Sequence, residues 1–297
     1  MYTETVGFRH FHDDPNFNFQ FNRWLPFLPE EALRDIAKEV SSFETWETVL
    51  LDKARASERE GKLSHAAFYF RAAEFYMPHE RAETLKIYDK FRELFGAAEK
   101  DFEFRREQVP FEGQHLPAFI IEPEGQLVDT LLVHGGFDSF AEELLPQIAP
   151  IAKLGVRLIL FEGPGQGYCL NKLSMPMVRN WELPVGAVLD HFDLDACSLL
   201  GISLGGCLAL RAAAFEPRIK RVIADDILES FFDCLANRMG ARKTRALNIM
   251  LRFNLKSVLN RAMNKARTAD PSIDWAIGHG LRVSACPCEN AGAIIRH

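Results

Sequence analysis

Gly201-Ile202-Ser203-Leu204-Gly205 sets a serine between two glycines in the pattern G-x-S-x-G, and Gly206 extends it. A serine hydroxyl is a poor nucleophile unless its surroundings expose and activate it. A sharp strand-to-helix turn does the first part, because it lifts the oxygen clear of the sheet and needs small neighbours to bend so tightly. The flanks suit such a turn: Cys197 to Leu200 is a short apolar run that fits a buried strand, and Leu204 to Phe215 fits a helix. A helix starting directly beneath the serine favours developing negative charge there. The chemistry expected is acyl transfer, with Ser203 as nucleophile and an acyl-Ser203 intermediate.

A second glycine pair lies upstream. His134-Gly135-Gly136-Phe137 follows the strand-like Leu131-Leu132-Val133. Taken with the serine turn, this loop suits an oxyanion hole in which backbone N–H groups of Gly136 (or Phe137) and Leu204 face the carbonyl oxygen. Such donors contribute about 2.7–4 kcal/mol each in the transition state. His134 reads as a support for the loop rather than a base. Glu162, in Glu-Gly-Pro-Gly-Gln-Gly, stands at a strand end where ligands bind in such sheets. Gly163, Gly165 and Gly167 are not read as a dinucleotide fingerprint, since no helix is expected directly after them and no acidic partner strand follows.

The elements that must position these residues follow from periodicity. Glu30 to Val40, Phe43 to Glu60, Leu63 to Met77 and Glu80 to Phe95 carry apolar residues at helical spacing, and Asn16 to Trp24 reads as an irregular lead-in that packs its aromatics. Phe104 to Val109 and Leu116 to Ile121, joined by Glu112-Gly113-Gln114, predict an antiparallel hairpin. Short apolar strands then alternate with helices: Thr130 to Val133, helix Ser139 to Leu154, Arg157 to Phe161, helix Met177 to Phe192, the serine turn, and Arg221 to Ala224. Fully apolar strands joined by helices predict a mostly parallel, doubly wound sheet covered on both faces. The fold class is α/β. A helical N-terminal extension at 1–101 precedes a core at 102–227, a helical cap at 228–282 and an irregular tail at 283–297.

Bulk properties narrow the function. A formal net charge of −6 over 297 residues argues against a nucleic-acid binder. No basic-then-apolar leader opens the sequence and no apolar run approaches a membrane span, so neither secretion nor membrane insertion is expected. Cys169, Cys197, Cys207 and Cys234 sit in apolar segments like buried thiols, which points to the cytoplasm. Cys286-Pro-Cys288 lacks a partner pair, so no metal is expected, and no cofactor either. Between Cys234 and Ala269 lie nine Lys or Arg and no Asp or Glu. That stretch reads as a solvated helix face, with Leu247, Leu251, Leu255, Val258 and Met263 inward, or as an attractor for an anionic substrate or acidic lipid.

HGGFDSF at 134–140, FEGPGQG at 161–167, GISLGG at 201–206, FNRWL at 21–25 and FYFRAAEFY at 68–76 together resemble one family. It is the group of α/β-hydrolases with a helical N-terminal extension, which includes 2,6-dihydroxypseudooxynicotine hydrolase, the fermentation-respiration switch protein and fungal polyketide-shortening hydrolases of pigment synthesis. The similarity covers roughly residues 15 to 282. It implies a cofactor-free enzyme that cleaves an ester or a ketone-adjacent carbon–carbon bond in a small molecule. It also implies that the N-terminal helices are the surface through which a homodimer would form.

In this fold the triad runs Ser, then Asp or Glu, then His. The family's acid and histidine lie after two further strands beyond the cap, whereas here a single strand-like start at Leu281-Arg282-Val283 precedes the tail. Only His279 and His297 follow Ser203. Asp226, with Asp225 beside it, is the acid candidate at the end of the Arg221–Ala224 strand, and His279 is the base candidate. Without a base, turnover would fall by roughly 10⁴–10⁶. The expectation is therefore a truncated or frameshifted hydrolase with its last strands missing. A non-catalytic binding protein is the alternative function.

Overall fold

The computed structural model describes residues 7–98, 102–227, 240–253 and 255–285. The chain divides into two compact units, Met1–Phe102 and Glu103–His297.

The first unit is helical: α1 (Pro15–Trp24), α2 (Glu30–Glu39), α3 (Phe43–Arg59), α4 (Leu63–Glu74) and α5 (Ala82–Ala98). The segment read as an irregular lead-in is α1. Asp14 caps it by accepting the Asn16 N–H at 2.7 Å, and Pro15 occupies its first turn. Polar Asn and Gln between the aromatics hide the helical period from a hydropathy reading, while Phe17, Phe21 and Trp24 still share one buried face. Phe17 stacks on Trp46 of α3 at 5.6 Å, and Trp46 donates its indole N–H to the Ala72 carbonyl of α4 at 2.7 Å. Ser42 and Thr45 form a reciprocal capping box at the start of α3.

The second unit is built on a sheet of β1 (Arg105–Phe111), β2 (Gln114–Ile121), β3 (Asp129–His134), β4 (Val156–Phe161), β5 (Cys197–Ile202) and β6 (Ile219–Asp225). Among the described residues the strand order is β1-β2-β4-β3-β5-β6. The β1–β2 and β2–β4 pairs are antiparallel, and the β3–β4, β3–β5 and β5–β6 pairs are parallel. The hairpin turn puts Glu112 at φ 48° and Gly113 at φ 77°, the two positive values that a two-residue turn requires to match strand twist.

Helices α6 (Ala141–Ile148), α7 (Gly167–Asn171), α8 (Glu182–His191) and α9 (Leu204–Phe215) connect the strands. The helix expected over Ser139–Leu154 changes to a 3-10 turn at Ala149–Leu154, where Pro150 lacks the N–H an α-helix would use. The helix expected from Met177 begins only at Glu182, which leaves Pro184 in the first turn, where its missing N–H costs nothing, and not in the helix interior. A helix does begin at Gly167, contrary to the expectation that none follows those glycines.

The stretch expected to form a cap contains, among the described residues, α10 (Ala241–Arg252), α11 (Lys256–Ala269) and α12 (Pro271–Val283) around a small core of Leu247, Leu259, Met263, Ile277 and Leu281. Leu251 packs against that core, but Leu255 and Val258, expected inward, are exposed. Leu281-Arg282-Val283 is the last turn of α12 and not the start of a strand. Three residues of mixed character carry no usable period, so the preceding helix decided their state.

Candidate active site

The candidate site lies at the C-terminal ends of β3, β5 and β6. Strand β5 delivers Ser203 with φ 60° and ψ −126°, a positive-φ conformation that a side-chain-bearing residue adopts only when its surroundings impose it. Two bonds impose it here: the Ser203 N–H donates to Asp225 O at 2.8 Å, and the Ser203 carbonyl accepts from the Gly206 N–H at 2.9 Å. Helix α9 begins at Leu204, so its positive end lies under the serine. Ser203 and Leu204 are both half-buried and so partly open to solvent.

The loop after β3 lies against this turn. A Cβ added to Gly136 would stand 2.8 Å from both Ile202 O and the Leu204 nitrogen. A Cβ on Gly205 would strike the Gly135 carbonyl. The two glycine motifs recognised separately in the sequence are therefore in backbone contact, and side chains at either position would force them apart. The Gly136 N–H faces Ser139 Oγ at a long 3.4 Å.

His134 is 1% exposed and holds the loop from below. Its Nε2 accepts the Trp181 indole N–H at 3.1 Å, which leaves Nδ1 as the donor to Gly135 O at 2.9 Å. Burial pushes its pKa down to about 4, against a smaller upward pull from the Gly135 carbonyl. At neutral pH the ring is uncharged and both nitrogens are engaged.

Glu162, expected near substrate, is instead buried against backbone. Its Oε1 accepts the Ala141 N–H at the start of α6 (2.9 Å), and its Oε2 accepts the Tyr168 N–H at the start of α7 (2.6 Å). The N-terminus of α7 thus meets a carboxylate of this chain where a dinucleotide fold would offer it to phosphate. Gln166, to which the sequence reading gave no role, donates its Nε2 to Gly135 O at 2.6 Å and to Gly136 O at 3.3 Å, and its Oε1 accepts the Gly163 N–H at 3.0 Å. A glutamine set among glycines after an apolar strand was the available signal.

Of the acid and base candidates, Asp226 follows β6 with φ 67°, its Oδ1 accepts the Ile227 N–H at 2.7 Å, and its carbonyl lies over Gly206. Asp225 contributes its carbonyl to Ser203, as above. His279, on α12, places Nε2 at 2.9 Å from Phe137 O, stacks on Trp275 and meets the Phe137 ring edge-on at 4.6 Å. A carbonyl only accepts, so Nε2 carries the proton. The structure thus gathers Ser203, Leu204, Gly136 and the Asp226 backbone at one turn and sets His279, from α12, against the adjoining loop at Phe137. Cys234, Cys286, Cys288 and His297 lie outside the described residues. Among those described, no cluster of His, Cys, Asp or Glu could hold a metal ion, and no helix is long and apolar enough to cross a membrane.

No family model matches the chain. It is 31% identical over an alignment of 320 residues to the α/β hydrolase psoB of Aspergillus fumigatus, covering 89% of this chain and 71% of that protein. It is 35% identical over 211 residues to the α/β hydrolase ucsC of Acremonium sp., covering 60% of this chain and 43% of that protein. For the hydrolase acrC of Aspergillus aculeatus the values are 30% over 257 residues, 75% and 59%. The chain thus spans about half the length of several curated relatives it matches. Among solved structures, AbyA5 superposes with a TM-score of 0.62 at 17% identity, over 91% of this chain and 72% of that one. The 2,6-dihydroxy-pseudo-oxynicotine hydrolase superposes at 0.52 and 24% identity, over 66% and 62%. Strand order, the serine turn and these relatives agree, and the chain belongs to the α/β-hydrolase family.

Proposed function

We propose that this hydrolase scaffold cleaves an ester or a ketone-adjacent carbon–carbon bond of a small molecule through an acyl-Ser203 intermediate. One observation carries the reading: Ser203 is held at φ 60° on a strand-to-helix turn whose Leu204 nitrogen abuts Gly136. In the first half-reaction Ser203 Oγ loses its proton to a base and bonds to the substrate carbonyl carbon, and the carbonyl oxygen takes the negative charge. The N–H groups of Leu204 and Gly136, with the positive end of α9, stabilise that oxygen. Collapse breaks the bond to the leaving alkoxide or enolate, which takes up a proton. Water then attacks the acyl-serine and releases the acid. Asp226 and His279 are the acid and base candidates of this chain, and His279 would have to leave the Phe137 carbonyl to accept a proton at Nε2.

Labelling of the purified chain with a fluorophosphonate probe tests this reading, with Ser203→Ala as control. Label on the wild type that disappears in the variant supports an activated serine. Asp226→Asn and His279→Gln then show whether either residue activates it. A folded wild type that takes no label would sink the acyl-serine reading and leave ligand binding, the non-catalytic alternative, as the function to pursue.

A further inference from the structure

Three successive carbonyls of the loop beside Ser203 are held by side chains. Gly135 O accepts from both His134 Nδ1 and Gln166 Nε2, Gly136 O accepts a longer bond from Gln166 Nε2, and Phe137 O accepts from His279 Nε2. In a planar trans peptide the carbonyl of one residue and the N–H of the next point in opposite directions. A bond that fixes Gly135 O therefore aims the Gly136 N–H, and one that fixes Gly136 O aims the Phe137 N–H. The Gly136 N–H, whose contact with Ser139 Oγ is a long 3.4 Å, is assigned above to the oxyanion, and the Phe137 N–H is its alternative.

We propose that Gln166 is a positioning residue of the oxyanion hole, setting the direction of the Gly136 and Phe137 N–H groups by gripping the carbonyls of Gly135 and Gly136. The inference rests on the acyl-serine reading. Gln166 suits the task because it is 2% exposed and doubly anchored. Its Oε1 is committed to the Gly163 N–H, which settles which end of the amide faces the loop. Its backbone is bound at both sides, the N–H to Gly163 O at 3.0 Å and the carbonyl to the Leu170 N–H at 2.9 Å. The grip thus couples the loop after β4 to the loop after β3. Its first bond, at 2.6 Å, is just shorter than the ordinary N–H···O range. Glutamate is nearly the same shape and keeps the acceptor for Gly163, but as a carboxylate it presents oxygen, not N–H, to two carbonyl oxygens.

The test is fluorophosphonate labelling of wild type, Gln166→Leu and Gln166→Glu, with the inactivation rate and the probe's reversible affinity measured separately from pH 5 to 8. Thermal melts confirm that each sample is folded at the assay temperature. Expected is a fall of roughly 10- to 100-fold in the inactivation rate at pH 8 for both variants, with affinity within about threefold of wild type. The glutamate variant is expected to recover part of its rate toward pH 5, where a protonated carboxyl regains one donor. Equal rates in wild type and folded variants would overturn the proposal while leaving the acyl-serine reading intact. Loss of a cooperative melt in both variants would also overturn it, since Gln166 would then hold the fold and not the hole. An unlabelled wild type takes down the acyl-serine reading and this proposal with it.

Discussion

The site is made of backbone directions, and single residues matter mainly for the space and bonds they give that backbone. Gly136 is the clearest case. In Gly136→Ala the added methyl would meet two main-chain atoms at 2.8 Å, neither of which can rotate away. The variant is expected to lose about 1–3 kcal/mol in denaturant unfolding and most of its fluorophosphonate label. Retention of both would mean that the two loops are not in the contact described. His134 gives a pH signature. Its pKa is near 6.5 in an unfolded chain and about 4 in the folded one. Between those values the unfolded chain takes up a proton that the folded chain refuses, so stability falls as pH drops from about 6.5 to about 4. The full difference is on the order of 3 kcal/mol. His134→Gln retains a donor and an acceptor but does not titrate. Its unfolding free energy should vary less across that window than the wild type's, and parallel pH curves would remove His134 as the cause.

At the level of elements, Glu162 does the joining that the sequence left unseen. One carboxylate at the end of β4 accepts an N–H from the first turn of both α6 and α7, and a Cβ on Gly167 would run into it. Glu162→Gln keeps one acceptor oxygen and turns an NH₂ toward the other N–H, leaving a buried donor unpaired. A loss of about 1–3 kcal/mol is expected in urea unfolding, without change of fold by circular dichroism. An unchanged midpoint would show that those N–H groups find other partners. The elements themselves were unevenly legible. The hairpin was readable because Gly113 signals positive φ between two strand-like runs, and the serine turn because a strand, two glycines and a helix fall in order. The start of α8 was misplaced because the apolar run from Met177 was carried through Pro184, which a helix accepts in its first turn and not in its interior. Nor was Leu281–Val283, whose helical state is inherited from the cap turn before it. Gln166 was visible as a letter in a motif, but only tertiary contact shows that its amide reaches the loop after β3. Local pattern reports local preference, and the site is assembled from long-range backbone contacts that leave no period.

The molecule as a whole is divided in charge and in how its sheet ends. The net charge is −6, yet the sequence between Cys234 and Ala269 carries nine cations and no carboxylate, so the rest of the chain is the more acidic for it. The sheet is covered over most of its width by a core running from Val109 to Ile219. At β6 the cover thins: among the described residues this strand pairs only with β5, and its Ile223 is 50% exposed. An apolar residue on a strand with an unpaired side is a template for another chain's strand, and charged residues are the usual protection. Lys220 and Arg221 already serve the first half of β6, and the second half has no cation. Ile223→Lys should therefore raise the temperature at which light scattering begins on heating by several degrees, with the unfolding midpoint nearly unchanged. Fluorophosphonate labelling at Ser203 should stay at the wild-type rate, because Ile223 pairs with Leu200 and lies ahead of the serine turn. An unshifted scattering onset would place the association-prone surface elsewhere, with exposed Phe253 and Val258 of the cap as the next positions to charge.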